Sequence, residues 1–481
     1  MGQRGAHLLL SARRRLQQQS SRSQSTSAAS SSFTELQRAL AEHSSPLAVD
    51  ADSVVPLASP AEWREALHAG IASSTRRVVL SSLYFGCEGP HERALRRALS
   101  ARLAARPDLA CTVLVDERRG TRPVQLPDQA APTSCLAELR AGLPASAKLL
   151  AFSPPAVAAA ALPPRLREAA GVMHVKACVF DDQVIFTGAN LAETYLSHRQ
   201  DRYLCIHSPA LADSVEKSIS ILSRAGRDGS DPQAQPALSP RAACRDLSFA
   251  LRRPHPPPPA TAAAAEPDTL AYLCMQAGWA GVRQEEALVS SLAACAAALK
   301  ATLCVSTPYL NLPARLERQL AAVSDLRILS ASPACHGWAG AKGAASMVPA
   351  AYAVLAHRTL RRLLRGRPPS EAEVDAALLW EWEKEGAEYH AKGMWWTPPG
   401  EAGLGPMATL VGSSNYGLRS SRYDLELNLV LLTRDPGLRA RLGAEWEGLA
   451  VHARPVGLPQ LLERRPGMAV RAAAMAARPW L

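Results

Sequence analysis

Apolar and polar positions alternate along this chain in two successive rounds of one pattern. In the first round, apolar residues recur at helical spacing from Pro60 to Ala72 behind Ser59, a capping residue type, and the run from Arg77 to Phe85 then reads as a buried strand. A helix over His91–Ala105 and a strand over Cys111–Asp116 follow, and Glu216–Leu222 reads as the end of a further helix. The second round has a helix around Gln284–Leu299 and strands at Thr302–Ser306 and Leu326–Leu329. Between the rounds, residues 226–268 lose all periodicity, and the stretch from Arg252 to Pro259 can only be extended, polyproline-like chain. Strands alternating with helices on both sides of such a break predict an α/β protein with two similar domains, 46–225 and 269–460, a Pro-rich linker at 226–268 and a helical tail at 461–481.

Polar residues set into the apolar runs sharpen the repeat. His174-Val-Lys176 opens a run that reaches Asp181 and then Gly188-Ala-Asn190, while His390-Ala-Lys392 opens one that reaches Gly412-Ser-Ser-Asn415. His174 and His390 are 216 positions apart, as are Lys176 and Lys392; Asn190 and Asn415 are 225 apart, as are Asp201 and Glu426. The difference falls at Thr397–Pro406, a Pro- and Gly-rich insertion that reads as a turn. Residues two apart on an extended strand project from one face, so each His-x-Lys sends an imidazole and an ammonium into one site. A lone His-x-Lys carries no weight; two copies with four aligned polar pairs mark a duplicated site.

Composition narrows the setting. With 481 residues and 47% apolar content the chain can bury large cores, and no run of about 18 uncharged apolar residues occurs, so no spanning helix is expected. The ten cysteines are scattered without a Cys-x-x-Cys pair or a Cys/His cluster, which predicts neither a zinc site nor a disulfide framework. Of the formal charge of +11, five arginines (Arg4, Arg13, Arg14, Arg15 and Arg22) precede the first acid, Glu35. Residues 1–32, rich in Arg and Ser and free of acids, read as an organelle transit peptide. The remaining basic excess suits anionic lipid or phosphate ligands. Aromatic residues make up only 5% and do not interleave with the basic ones, which speaks against a nuclease or other nucleic-acid partner.

Paired histidines suit substitution at the phosphorus of a diester. One neutral imidazole attacks and forms a phospho-histidine; the other, protonated, gives its proton to the leaving oxygen and takes one from the incoming nucleophile. Asp201 and Glu426 can set the tautomers, while Lys176, Lys392, Asn190 and Asn415 stabilise the non-bridging oxygens, so no metal or other cofactor is called for. Asp181 lacks a counterpart, Thr397 standing in its place in the second copy, and reads as orienting or structural. Three loops could meet further phosphate: Gly86–Gly89, between a strand and a helix; Arg118, Arg119 and Arg122, leaving a strand; and Lys342-Gly343 in a Gly-rich stretch that lacks P-loop spacing. The tail from Gly467 to Leu481, Ala-rich with sparse Arg and a Trp480, fits either a lipid surface or packing against the domain.

At these residues the chain resembles the phospholipase D superfamily, defined by the duplicated His-x-Lys motif, and within it the eukaryotic mitochondrial phosphatidylglycerophosphate synthases. The narrower resemblance rests on Ser82–Gly86, Asp116–Arg122, Gly188–Leu191, Arg199–Tyr203, Ala331–Pro333, Gly340–Gly343, Tyr389–Gly393, Gly412–Gly417 and Asp424–Glu426, and it spans about residues 50–455. It implies two phospholipase D-like αβα domains related by pseudo-two-fold symmetry, with one active site at their interface. It implies transfer of the phosphatidyl group of CDP-diacylglycerol to glycerol 3-phosphate, with His174 as nucleophile and His390 as acid, on the matrix side of the inner mitochondrial membrane. A hydrolase with water as acceptor, or a synthase of phosphatidylserine or cardiolipin, would use the same paired residues. Where the superfamily has Gly-Ser-x-Asn, the first copy has Gly188-Ala-Asn190, so one hydroxyl is missing from that half.

Overall fold

The structure, a computed structural model, describes residues 31–127, 129–155, 168, 170–228, 235–254, 266–366 and 378–481. The expected transit segment lies outside them except for its last two residues, as does the polyproline run from His255 onward.

Each half is built on one mixed sheet, and the two sheets share an order. Reading across the first gives Lys148–Phe152, Ala110–Asp116, Arg77–Ser82, Ala177–Phe180, Gln183–Thr187, Tyr203–His207 and Val54–Leu57, with Arg227–Asp228 beyond the first of these. The second runs Leu379–Trp382, Asp325–Ala331, Thr302–Ser306, Gly393–Thr397, Ala408–Gly412, Glu426–Thr433 and Thr269–Ala277. In both, the first three strands are parallel and the rest antiparallel, so the duplication read from four polar pairs extends to the whole topology. Local signals agree with this. Ser59 accepts a hydrogen bond from the Glu62 amide at 3.2 Å ahead of helix Pro60–Ser73, which buries Trp63, Leu67 and Ile71 along one stripe.

Alternation along the strands sorts side chains into layers. Val78 and Leu80 enter a core beneath the first half's outer helices, whereas Val79 enters a central core. Leu270, Tyr272 and Cys274 likewise face the second half's outer core, and Ala271, Leu273 and Met275 the central one. The central core thus takes strands from both sheets, which joins the halves through apolar burial as well as through the site.

Two boundaries differ from the sequence reading. Strand Pro46–Ala48 pairs with Thr269–Ala277, and the helix over 31–41 buries Phe33, Leu36 and Leu40 in the second half's core, so the start of the chain completes the C-terminal half. Inside the stretch read as linker, Pro240–Ala250 is a helix capped by Ser239 that buries Ala243, Cys244 and Leu247. Ala243, Cys244, Leu247 and Leu251 recur at helical spacing along its buried side, so the periodicity is present here and the expectation of unpatterned linker fails. The C-terminal helix Met468–Ala477 packs beside helix Val348–Arg365 with Ala474 buried, while Met468 and Met475 stay exposed.

Candidate active site

His174 and His390 lie on extended segments just ahead of strands Ala177–Phe180 and Gly393–Thr397, and each segment pairs with chain from the opposite half. The His174 amide donates to the Leu425 carbonyl at 2.8 Å, and the Leu425 amide to Val172 at 2.9 Å. Arg199–Gln200 pairs in parallel with Glu388–Tyr389, and the His390 amide donates to Gln200 at 2.8 Å. Those partner segments lead straight to Glu426 and Asp201. Consequently the carboxylates are exchanged: His174 Nδ1 bonds Glu426 at 2.9 Å, and His390 Nδ1 bonds Asp201 at 2.6 Å. Neither half owns a complete histidine–carboxylate pair.

At His174 this geometry sets the tautomer, whereas His390 Nδ1 also meets the Lys392 ammonium beside Asp201. An Nδ1–H that donates to a carboxylate leaves the Nε2 lone pair for chemistry. No hydrogen bond to His174 Nε2 occurs among the described residues, whereas His390 Nε2 meets the Tyr195 hydroxyl at 3.3 Å. Burial, and then the neighbouring Lys176 and Lys392 respectively, hold both histidines well below the usual imidazole value. Burial likewise pushes Glu426 up to about 7 and raises Asp201, and it brings Lys176 down to about 7 and Lys392 down to about 8. An anionic phosphate between the imidazoles opposes these shifts on the basic groups, since it favours their charged forms.

The missing hydroxyl has a structural counterpart. In the second half Ser413 donates to Glu426 at 2.5 Å. Its aligned position in the first half is Gly188, where a Cβ would sit 2.5 Å from Asp201 Oδ1 and 2.9 Å from Lys392 Nζ. Each lysine donates to the carbonyl of its own motif histidine, Lys176 to His174 at 2.9 Å and Lys392 to His390, but Lys392 also occupies that space and bonds Asp201 at 3.2 Å. A hydroxyl supports one carboxylate and an ammonium the other, so the two histidines are inequivalent.

His174, His390, Asn190 and Asn415 line one cleft of about 1320 Å³ between the halves. Among the described residues the Oδ1 atoms of both asparagines are buried without a hydrogen-bond partner, a cost of about 1–3 kcal/mol each that a donor group on a ligand relieves, while only the Nδ2 amides can donate to phosphoryl oxygens. Lys176 and Lys392 lie fully buried beneath the imidazoles and do not line the cleft. Arg119, stacked at 4.3 Å over the Tyr84 ring, and Arg122, paired with Glu168 at 2.6 Å, line one side. Tyr195, Arg199, Tyr309, Trp338 and Tyr352 line another, with Arg199 at 4.5 Å over the Tyr195 ring.

Several expected site residues lie elsewhere. Asp181, grouped with the catalytic residues on its motif position, sits at the far end of strand Ala177–Phe180 from His174. There its carboxylate accepts from the amides of Thr75, Arg76 and Arg77 at 2.8–2.9 Å, which helps hold it down at about 2, so it anchors a loop and takes no part in the cleft. The Gly86–Gly89 turn holds carboxylate in place of phosphate: the Gly89 amide donates to Glu92 at 2.8 Å, and a Cβ at Gly86 would overlap the same carboxylate. Arg118 donates to the Gly171 and Pro154 carbonyls at 2.5 and 2.6 Å, bracing the chain ahead of His174. Lys342 and Gly343 are exposed and outside the cleft, which takes Gly337 and Trp338 from that loop instead.

Other contributors had no assigned role in the sequence reading. Tyr195 and Arg199 flank Asp201, and Arg419 flanks Glu426, donating to the Glu168 carbonyl at 2.9 Å beside Asp424. Their closeness to the aligned acids was the available signal. Glu285 accepts from Ser414 at 2.6 Å and Asn428 at 2.8 Å behind the Asn415 turn, and nothing in the linear motif points to it.

Comparison with known proteins places this geometry. No family model matches the chain. Among solved structures, phosphatidylserine synthase of Haemophilus influenzae Rd KW20 superposes with a TM-score of 0.73 over 93% of this chain and 100% of that one, at 20% identity, which shows a shared fold. Curated proteins named CDP-diacylglycerol–glycerol-3-phosphate 3-phosphatidyltransferase are similar along most of the chain. The mitochondrial protein of Cricetulus griseus is 30% identical, covering 83% of this chain and 78% of its own, and that of Saccharomyces cerevisiae is 28% identical, covering 86% and 85%. The chain belongs to the CDP-diacylglycerol–glycerol-3-phosphate 3-phosphatidyltransferase family.

Proposed function

We propose that the chain transfers the phosphatidyl group of CDP-diacylglycerol to the glycerol hydroxyl of sn-glycerol 3-phosphate, giving phosphatidylglycerophosphate and CMP. The observation that carries this reading is the pair of cross-half histidine–carboxylate contacts facing one cleft, in a chain of this family. In the first step His174 Nε2 attacks the phosphorus bearing diacylglycerol; the P–N bond forms, the bond to the CMP oxygen breaks, and His390 gives CMP its proton. In the second, His390 takes the proton of the glycerol hydroxyl, whose oxygen displaces His174. The free Nε2 of His174 and the occupied Nε2 of His390 support this division of labour. Asn190 and Asn415 bind the non-bridging oxygens, and the buried lysines supply positive charge from beneath, in a reaction that needs no metal or organic cofactor.

Arg119 and Arg122 hold the phosphate of the acceptor, a group that water or choline lacks. The animal relatives are named mitochondrial, and this chain works in the mitochondrion, as a peripheral protein on the matrix side of the inner membrane. Among the described residues no helix is long and apolar enough to cross a membrane.

The test follows CMP release from detergent-dispersed CDP-diacylglycerol, with and without glycerol 3-phosphate, in the unaltered protein and in His174→Ala and His390→Ala. Release that depends on glycerol 3-phosphate and is lost in both variants is expected. Equal turnover with water or choline, or activity surviving both substitutions, contradicts the reading.

A further inference from the structure

Helix Val348–Arg365 places Arg358, Arg361, Arg362 and Arg365 at spacings of three and four, on one face. Arg465 and Arg471 approach that face, the latter from the C-terminal helix, and the six guanidiniums line an open groove of about 1100 Å³. Glu317 balances two of them, bonding Arg358 at 2.7 Å and Arg362 at 2.9 Å. Arg361, Arg365, Arg465 and Arg471 have no acidic partner among the described residues. The crowding reaches His357 in the groove wall, which burial and then Arg465, Arg361 and Arg471 hold below its usual value. Like charges gathered this closely repel, and a bound anion removes that cost.

Apolar side chains set among these cations narrow the class of anion. Met468 and Met475 line the same groove and are 80% and 45% exposed, and Trp480 follows on the same tail at 48%. Both walls of the groove also continue to the reaction cleft. Tyr352, near the start of the long helix, lines the cleft, and so does Leu481, whose carbonyl Asn311 holds at 3.0 Å. Beside the cleft mouth Trp338 is 45% exposed, and Met347, just ahead of the long helix, 48%. A soluble phosphate compound has no use for such an apolar fringe; a bilayer has both the charge and the apolar layer.

The geometry points to a docking site for the phosphate-bearing headgroups of an anionic phospholipid surface in the groove between helices Val348–Arg365 and Met468–Ala477, separate from the reaction cleft and turning its mouth toward the bilayer. This rests on the membrane-surface reading above and locates it. The arginines bind headgroup phosphates, and Met468, Met475 and Trp480 enter the interface beside them.

The test is co-flotation of the full chain with phosphatidylcholine vesicles, with and without phosphatidylglycerol, for the unaltered protein, single Arg→Gln changes at 361, 365, 465 and 471, the combined variant, and Met468→Ser with Met475→Ser. Preference for phosphatidylglycerol vesicles is expected, falling roughly fivefold for each arginine removed and a hundredfold or more in the combined variant. The methionine variant is expected to bind more weakly at high salt, where the apolar contribution dominates. CMP release from micellar CDP-diacylglycerol stays unchanged in all of them, which separates this proposal from the catalytic one: loss of micellar turnover in the unaltered protein defeats the reaction and leaves docking standing. Undiminished vesicle binding by the combined variant overturns the docking site. So does binding abolished equally by millimolar inorganic phosphate in all proteins, which marks a soluble-phosphate site.

Discussion

Glu426 and Asp181 are both carboxylates that the duplicated motif singles out, and their surroundings give them opposite work. Glu426 is buried against His174 and holds its Nδ1 proton, so Glu426→Gln leaves the ring free to take the wrong tautomer. CMP release is expected to fall about 10²–10⁴-fold with the fold retained, measured by initial rates alongside circular dichroism. Asp181 is bonded to three backbone amides in a loop, and its pKa is lowered to about 2. A carboxylate depressed in the folded state stabilises the fold above its unfolded pKa of about 4, and that contribution is lost as pH falls through about 2. Asp181→Asn is therefore expected to lower the melting temperature at neutral pH, with turnover unaffected and the deficit shrinking as pH falls below about 4. Reduced turnover at an unchanged melting temperature would return Asp181 to the site.

At the scale of elements, the turn after each motif strand decides how the opposite half is received. Gly188 has no side chain, and Lys392 fills the space beside Asp201 where Ser413 supports Glu426 in the other half. Gly188→Ala puts a methyl within 2.5 Å of Asp201 Oδ1, so it is expected to displace Asp201 from His390 and to cut turnover at least tenfold while the sheet survives. Activity close to that of the unaltered protein would mean that the turn is looser than described. The strand and helix alternation, the repeat and its polar pairs were legible in the sequence because each is local and periodic. Roles that depend on three-dimensional company were not. Arg118 looked like Arg119, yet one braces carbonyls and the other lines the cleft. Gly86–Gly89 had the form of an anion turn, but the anion is Glu92, supplied by the chain itself. The exchange of carboxylates between halves follows from strand crossing, which no linear spacing reveals.

For the whole molecule, the halves are interlocked by a shared central core, by crossed motif strands and by the start of the chain. The helix over 31–41 puts Phe33, Leu36 and Leu40 into the second half, each worth about 1.5–3 kcal/mol of burial. Deleting residues 1–45 is expected to yield aggregated or unstable protein, seen as loss of the monodisperse peak on gel filtration, even though domain boundaries drawn from sequence place all these residues outside both domains. A soluble, active truncation would show that the segment is dispensable. Catalysis in this molecule depends on a division of labour between two histidines that no single half can complete. That division is tested most directly by incubating the protein, without acceptor, with CDP-diacylglycerol labelled at the phosphorus next to diacylglycerol, and mapping covalent label to peptides. An acid-labile phosphoramidate is expected on the peptide containing His174, absent in His174→Ala and chased into phosphatidylglycerophosphate by glycerol 3-phosphate; label on the peptide containing His390, or full turnover with label on neither, would overturn the division of labour.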